Sequence, residues 1–157
     1  MKTTFLFPAP LRKVGWLLFI PSLLAVVLLQ IFEYEQDITV WVPALANHDI
    51  FGEPEVFAMI ENNITDEILF SMIIIGGILA GFSKLRAEDE FTALLRYESL
   101  VYATYANFAV MLVATLTVYG TFYLNVLIAN VFTLLFFFLA RFQYKLYQLK
   151  KMQGDDQ

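Results

Sequence analysis

The sequence of 157 residues has no cysteine, a single histidine and few charged residues. Without cysteine, the chain has no disulfide framework, no thiolate metal site and no cysteine nucleophile. Charged residues make up 16% of the chain, fewer than the roughly 25% of a typical soluble domain. Apolar residues make up 59%. This composition excludes an ordinary cytosolic enzyme and indicates an integral membrane protein.

Long apolar runs predict four transmembrane helices, over residues 14–32, 68–85, 99–119 and 122–140. A helix that rises about 1.5 Å per residue needs about 18 to 20 residues to cross a hydrocarbon core of about 30 Å. Lys84, near the end of the second run, is the only Asp, Glu, Lys, Arg or His residue in the four segments. We therefore predict an all-α, polytopic membrane protein with a single domain, an antiparallel bundle of four transmembrane helices.

The basic residues predict how the chain is oriented. All ten Lys and Arg residues lie before the first span, around the connection between the second and third spans, or after the fourth. Residues 33–67 carry nine Asp and Glu residues and no base. Because cytoplasmic loops are enriched in Lys and Arg, both termini and the middle connection are predicted to be cytoplasmic. The third helix, starting near Glu88, is about 18 Å longer than the hydrocarbon requires and is predicted to extend into the cytosol.

The outer loop, residues 34–65, contains two apolar segments, one around Trp41 and one around Phe57. They are predicted to form two short elements, one before and one after a turn, that lie against the outer membrane interface. Thr65 precedes two acidic residues and is predicted to be the N-cap of the second helix. The same stretch, Asn63-Ile64-Thr65, is formally a glycosylation acceptor, but we favour the cap.

The spans lack the side chains that catalysis or redox chemistry within a membrane requires. His48, the only histidine, lies in the outer loop beside Asp49, so one chain cannot ligate haem with two histidines between its helices. The spans also offer no serine paired with histidine or lysine, and no two aspartates. We therefore expect no catalytic residue, no metal site, no cofactor and no nucleic-acid partner.

Gly77 and Gly81 lie four residues apart in the second span and predict a seam at which another helix packs closely. The partner helix is either one of the other three spans or the same span in a homodimer. We favour a seam within the chain, because the neighbouring spans already supply a partner.

Two Asn and two Arg residues form the most specific pattern. Asn107 lies eleven residues beyond Arg96, and Asn130 lies eleven residues before Arg141. Eleven residues are close to three helical turns, so each Asn shares a helix face with its Arg. We predict that the two Asn residues pair and fix the register of the third and fourth helices. The Arg residues then either extend separately to the interface or form a notch that binds an anion, with anionic membrane lipid as its default ligand.

An apolar stripe of Phe91, Leu94 and Leu95 lies on the cytosolic extension of the third helix. It is either a docking surface for a protein partner or a face that packs against Leu146 and Leu149 of the fourth helix.

A series of short segments carries a resemblance to a known group of proteins. These segments are Thr65-Asp66-Glu67, Phe82-Ser83-Lys84, Glu88-Asp89-Glu90, Leu95-Arg96-Tyr97-Glu98-Ser99-Leu100, Asn125-Val126, Asn130-Val131-Phe132-Thr133 and Arg141-Phe142. Across residues 65–147 the chain resembles small uncharacterised bacterial integral membrane proteins with four spans. The resemblance implies a multi-pass protein of the bacterial inner membrane and no established activity.

We predict a non-enzymatic membrane protein, a regulatory or accessory subunit that binds a protein partner. The alternative is a small transporter or channel, acting as an oligomer, with a path lined by Thr104, Asn107 and Thr133. Ion and proton transport usually requires ionisable residues at membrane depth, and their scarcity in the four spans favours the first prediction.

Overall fold

The computed structural model describes residues 5–32, 38–47, 55–85 and 89–155. Its elements in chain order are α1 (Leu11–Phe32), β1 (Thr39–Asn47), β2 (Glu55–Asn63), α2 (Thr65–Phe82), α3 (Glu90–Thr117) and α4 (Thr121–Asp155). The chain is mostly helical, and each of the four helices is long and apolar enough to cross a membrane. Every predicted span overlaps one of these helices, and α2 ends three residues before the predicted end of its span.

Two helices continue well beyond the predicted spans. α3 begins at Glu90, nine residues before the predicted third span, and α4 continues fifteen residues past residue 140. The start of α3 is fixed by Asp89, whose side chain accepts a hydrogen bond of 2.7 Å from the Thr92 N–H. Glu88, the predicted start, lies outside the described residues. The sequence analysis predicted the extension of the third helix, and it also placed Leu146 and Leu149, which lie beyond residue 140, on the fourth.

The outer loop contains an antiparallel hairpin of β1 and β2. Val42 pairs with Ile60, and the Ile64 N–H donates to the Ile38 carbonyl at the base of the hairpin. The segments around Trp41 and Phe57, predicted only as short elements, are therefore β-strands. Six large apolar side chains of the hairpin are exposed: Val40, Trp41, Leu45, Val56, Phe57 and Met59.

The structure corrects the predicted N-cap of the second helix. Ile64 occupies the cap position and makes no side-chain cap bond, and Thr65 is the first helical residue. The Asn63 side-chain oxygen accepts from the Thr65 N–H at 3.0 Å. Asn63 therefore satisfies a free N–H of the first turn, the task that the sequence analysis gave to Thr65.

The helices pack mainly as two pairs, α1 with α2 and α3 with α4, and α2 with α4 joins the pairs. In the sequence, short connections join the second, third and fourth spans, with Gly120-Thr121 the tightest, and this predicts that these spans are antiparallel neighbours. In the structure α4 packs beside α2, and α3 meets the end of α2 through the side chain of Arg96.

The buried core lies towards the end of the molecule where α2 ends. Phe138 of α4 is at its centre, between the stacked rings of Phe82 and Phe142 at centroid distances of 5.0 and 5.8 Å. Phe19 and Ile73 extend the core between α1 and α2. Most other large apolar side chains of the helices are on the outside, which is the distribution a lipid-facing surface requires.

Candidate functional site at the basic end of the helices

The last carbonyl groups at the C-terminal end of α2 receive no hydrogen bond from an N–H of the helix itself. The last carbonyls of any helix need donors from elsewhere, and they form the negative end of the helix dipole. Here the chain changes from helix to extended backbone at Ser83, which is 1% exposed. The carbonyls of Gly81, Phe82 and Ser83 are therefore buried acceptors, and each receives a donor from another part of the chain.

Arg96 of α3 supplies two of these donors. Its Nε donates to the Gly81 carbonyl at 3.2 Å and a terminal nitrogen donates to the Ser83 carbonyl at 3.4 Å. The guanidinium carbon lies 5.1 Å from the centre of the Phe142 ring, and the residue is only 5% exposed. A cation at the negative end of a helix is favourable, so Arg96 caps α2 and attaches it to α3 and α4.

The segment before α1 supplies the third donor. The Phe7 N–H donates to the Phe82 carbonyl, and the Lys84 N–H donates to the Phe7 carbonyl, both at 2.9 Å. The two strands of chain form a short parallel bridge at Ser83. The N-terminal segment is thereby fixed to the end of α2, beside Arg96.

Arg141, the other predicted notch residue, has a different environment. Its guanidinium carbon lies 4.0 Å from the centre of the Tyr102 ring of α3, a cation–π contact. Its Nε is buried and has no hydrogen-bond partner among the described residues. The structure thus gives the two Arg side chains separate partners, carbonyls for Arg96 and an aromatic ring for Arg141. An anion shared between them stays a prediction.

A third Arg joins α1 to α4 at the same end. A terminal nitrogen of Arg12 donates to the Gln143 side-chain oxygen at 3.1 Å. This bond fixes the orientation of the Gln143 amide, whose nitrogen is buried and has no partner within the described chain. Sequence analysis missed this pair, because Arg12 and Gln143 are far apart in the chain and nothing in their spacing connects them.

The structure brings Asn107 and Asn130 together between α3 and α4. Each amide nitrogen donates to the oxygen of the other amide, at 3.4 and 3.2 Å. Asn107 is 7% exposed and Asn130 is half-buried. A reciprocal pair of this kind defines one register of the two helices, since a shift by one residue removes both bonds.

Both glycines of the predicted seam face α4, within the chain, whereas a third glycine, Gly76, faces α1. Added Cβ atoms at Gly77 and Gly81 would collide with the side chains of Leu135 and Phe138 of α4. The closest approach of two backbones is instead between α1 and α2: a Cβ at Gly76 would lie 2.6 Å from the Phe19 nitrogen. Gly15 on α1 faces Gly76 and is equally crowded. The spacing found the small face of α2 but not the glycine that contacts α1.

The extended ends of α3 and α4 pack on each other through part of the predicted stripe. Leu95 is buried and belongs to the same cluster as Leu146. Phe91 and Leu94 are each 52% exposed, and Tyr97 continues the exposed side. The stripe is therefore divided: Leu95 packs internally, whereas Phe91, Leu94 and Tyr97 form an uncovered surface, which we call the α3 stripe.

Among the described residues there is no group of three His, Asp or Glu side chains that could hold a metal ion. His48 and Asp49 lie outside those residues. Near the α3 stripe, hydrogen bonds from the Thr92 side chain and backbone hold the pKa of Asp89 below its ordinary value.

Comparisons of the chain with protein-family models, with curated proteins and with solved structures give no match. The resemblance to small four-span proteins therefore stays a prediction. The function has to be argued from the chain's own geometry.

Proposed function

We propose that the four helices cross a membrane as an antiparallel bundle and that the protein is a non-enzymatic accessory or regulatory subunit. The length and apolar character of all four helices support insertion. The outward-facing Val, Leu, Ile and Phe side chains on every helix support it as well, because they require a hydrocarbon environment.

The proposed orientation has both termini and the α2–α3 connection in the cytoplasm. The contacts of Arg12, Lys84 and Arg96 bring these basic residues to one end of the molecule, where α2 terminates. The hairpin and its acidic neighbours lie at the opposite end. This separation of charge fits the enrichment of bases on the cytoplasmic side. Together with the predicted resemblance, it supports our proposal of a bacterial inner membrane.

The α3 stripe is the observation that carries the proposal of a partner. Phe91, Leu94 and Tyr97 lie on the part of α3 that precedes the predicted span, and no described residue covers them. An exposed apolar row beside charged residues is typical of a protein-binding surface. We propose that a protein partner binds there, at the cytoplasmic face.

Transport is less well supported by the polar groups within the helices. Asn107 and Asn130 use their amides on each other. The hydroxyls of Thr104 and Thr133 donate to carbonyls one turn earlier in their own helices, at 2.9 and 3.0 Å. Side chains that are engaged in this way are poor lining for a polar path.

Reporter fusions test the orientation. A reporter after Gln157 or inserted at Ala87 is expected to be active only as a cytoplasmic marker, and one inserted at Gly52 only outside. All three positions lie outside the described residues. A cytoplasmic signal from Gly52 would overturn the orientation.

Co-purification from native membranes tests the function. A stoichiometric partner is expected with the parent chain and lost with Phe91→Ser plus Leu94→Ser, because two apolar anchors contribute about 2 kcal/mol or more, on the order of thirtyfold in affinity. Leu45→Ser plus Met59→Ser removes side chains of the hairpin that are at least as exposed and serves as the matched control. Solute flux by the pure protein in liposomes, without any partner, would instead support the transporter.

A further inference from the structure

An apolar groove of 680 Å³ lies between the outer ends of α1 and α2, next to the base of the hairpin. Its walls are formed by Ala25, Leu28, Leu29 and Phe32 of α1, by Ile38, and by Thr65, Ile68 and Leu69 of α2. The volume is within the range of about 300 to 1,000 Å³ that is typical of small-molecule sites.

The lining restricts the chemistry of the occupant. Among the described residues, Thr65 is the only one in the lining with a polar side chain, and its hydroxyl accepts a bond of 3.4 Å from the Ile38 N–H. A groove without free polar groups does not hold ordered water, which needs two to four polar partners. Hydrocarbon is the occupant that fits these walls.

The position of the groove supplies the hydrocarbon. The lining residues of α1 belong to its last two turns, and those of α2 to its first two turns. If the helices cross the membrane as proposed above, both sets lie within the outer leaflet. The groove is open to the side, so a phospholipid chain can enter it directly from the bilayer.

An acidic residue next to the lining bears on the headgroup of the lipid. Asp66 follows Thr65 on α2 and is exposed, in the same helical turn as the lining residues. No Lys or Arg occurs between Val14 and Ser83, a stretch that contains both walls and the hairpin. A phosphate without a compensating charge would be repelled here, whereas an ammonium group would be attracted.

We infer that this groove binds one acyl chain of an outer-leaflet phospholipid with an ammonium headgroup, of the phosphatidylethanolamine class. The inference rests on the proposed membrane insertion and goes beyond it by naming a lipid site. It is distinct from the anion notch predicted for Arg96 and Arg141, which lies at the opposite end of the helices.

Native mass spectrometry of the full chain, released from vesicles of equal phosphatidylethanolamine and phosphatidylglycerol, tests the site. The parent is expected to retain one phosphatidylethanolamine more strongly than phosphatidylglycerol. Leu28→Trp fills the groove and is expected to abolish this retention. Leu17→Trp makes the same change on α1 at a residue that is 72% exposed and outside the groove, and it is expected to behave as the parent does.

A second pair of variants tests the charge. Asp66→Lys is expected to reverse the headgroup preference, since each charge near the surface contributes about fivefold. Glu61→Lys changes the net charge equally but lies on β2, and it is expected to leave the preference unchanged.

Three outcomes would overturn the inference. They are equal retention of the two lipids by the parent, unchanged retention in Leu28→Trp, or a dimer that Leu28→Trp dissociates, which would show that a second copy covers the groove. Flotation of the chain with the vesicles separates this failure from that of the proposed function. A parent that does not float disproves both, whereas one that floats without a headgroup preference disproves only the lipid site.

Discussion

Gly76→Ala perturbs the close backbone contact between α1 and α2. The added Cβ would lie 2.6 Å from the Phe19 nitrogen and 2.9 Å from the Gly15 oxygen, both backbone atoms of α1. Ordinary contacts of this kind are at about 3.5 to 4.0 Å. Helix backbones cannot rotate away as a side chain can, so α1 and α2 must separate by roughly 1 Å.

The magnitude follows from a comparison with the neighbouring residue. Forced separation of packed elements costs about 1 to 3 kcal/mol, and a rigid backbone collision belongs near the upper limit. Ala has a higher helix propensity than Gly, which stabilises the folded protein by about 1 kcal/mol. The net loss in the free energy of unfolding is therefore about 2 kcal/mol. Gly77→Ala would instead meet the side chain of Leu135. A change of rotamer there costs about 1 kcal/mol, so its net effect is close to zero.

Unfolding in detergent micelles by added dodecyl sulfate, followed by circular dichroism, measures both variants against the parent. We expect Gly76→Ala to unfold at a clearly lower denaturant fraction and Gly77→Ala to follow the parent curve. Gly120→Ala is a useful third protein, because it meets no atom within 4 Å but has a φ of +68°. It reports backbone strain without collision. A Gly77→Ala variant that is less stable than Gly76→Ala would refute the assignment of the tight interface to α1 and α2.

Three further predictions follow from the polar groups. Asn107→Leu or Asn130→Leu alone leaves one amide unpaired and should destabilise the protein by about 1 to 2 kcal/mol; the double variant should lose less than the sum, as a double-mutant cycle of unfolding free energies will show. Arg96→Gln should lower the free energy of unfolding by about 2 to 3 kcal/mol, because the charged donors to the carbonyls of α2 are lost. Arg141→Gln should lower it by about 1 kcal/mol, because only a cation–π contact is lost. An equal loss in the two variants would contradict the role of Arg96 as the cap of α2. Folding lowers the pKa of Asp89, so this residue should stabilise the protein at a pH above its pKa in the unfolded chain. The stabilisation should be lost as the pH falls through its pKa in the folded protein. Asp89→Asn should remove that acid dependence from the melting temperature while keeping the cap.

The helices were accessible from sequence because apolar length determines them almost alone. Runs of about 18 residues leave no other structure that satisfies every backbone group in hydrocarbon. The eleven-residue spacing also identified the face of α3 and α4 that carries Asn107 and Asn130. Both inferences depend on local periodicity, which the sequence contains.

The helix neighbours were not accessible, because they depend on contacts between distant residues. Short connections favoured α3 beside α2, but Leu135 and Phe138 of α4 fit against the glycines of α2 and exclude that order. The acceptors of Arg96 were hidden for the same reason. Its helical position predicts a face, whereas its partners are the Gly81 and Ser83 carbonyls, which carry no side-chain signal.

The end of α2 is a junction of the two helix pairs. α2 contacts α4 along its length, from Phe70 against Phe132 to Gly81 against Phe138, and Arg12 joins α1 to Gln143 of α4. Arg96 reaches from α3 to the last carbonyls of α2 and lies against Phe142 of α4. The N-terminal segment is bonded to the same turn through Phe7. A partner that binds the α3 stripe would contact α3 within five residues of Arg96, so its binding energy would act on the junction directly.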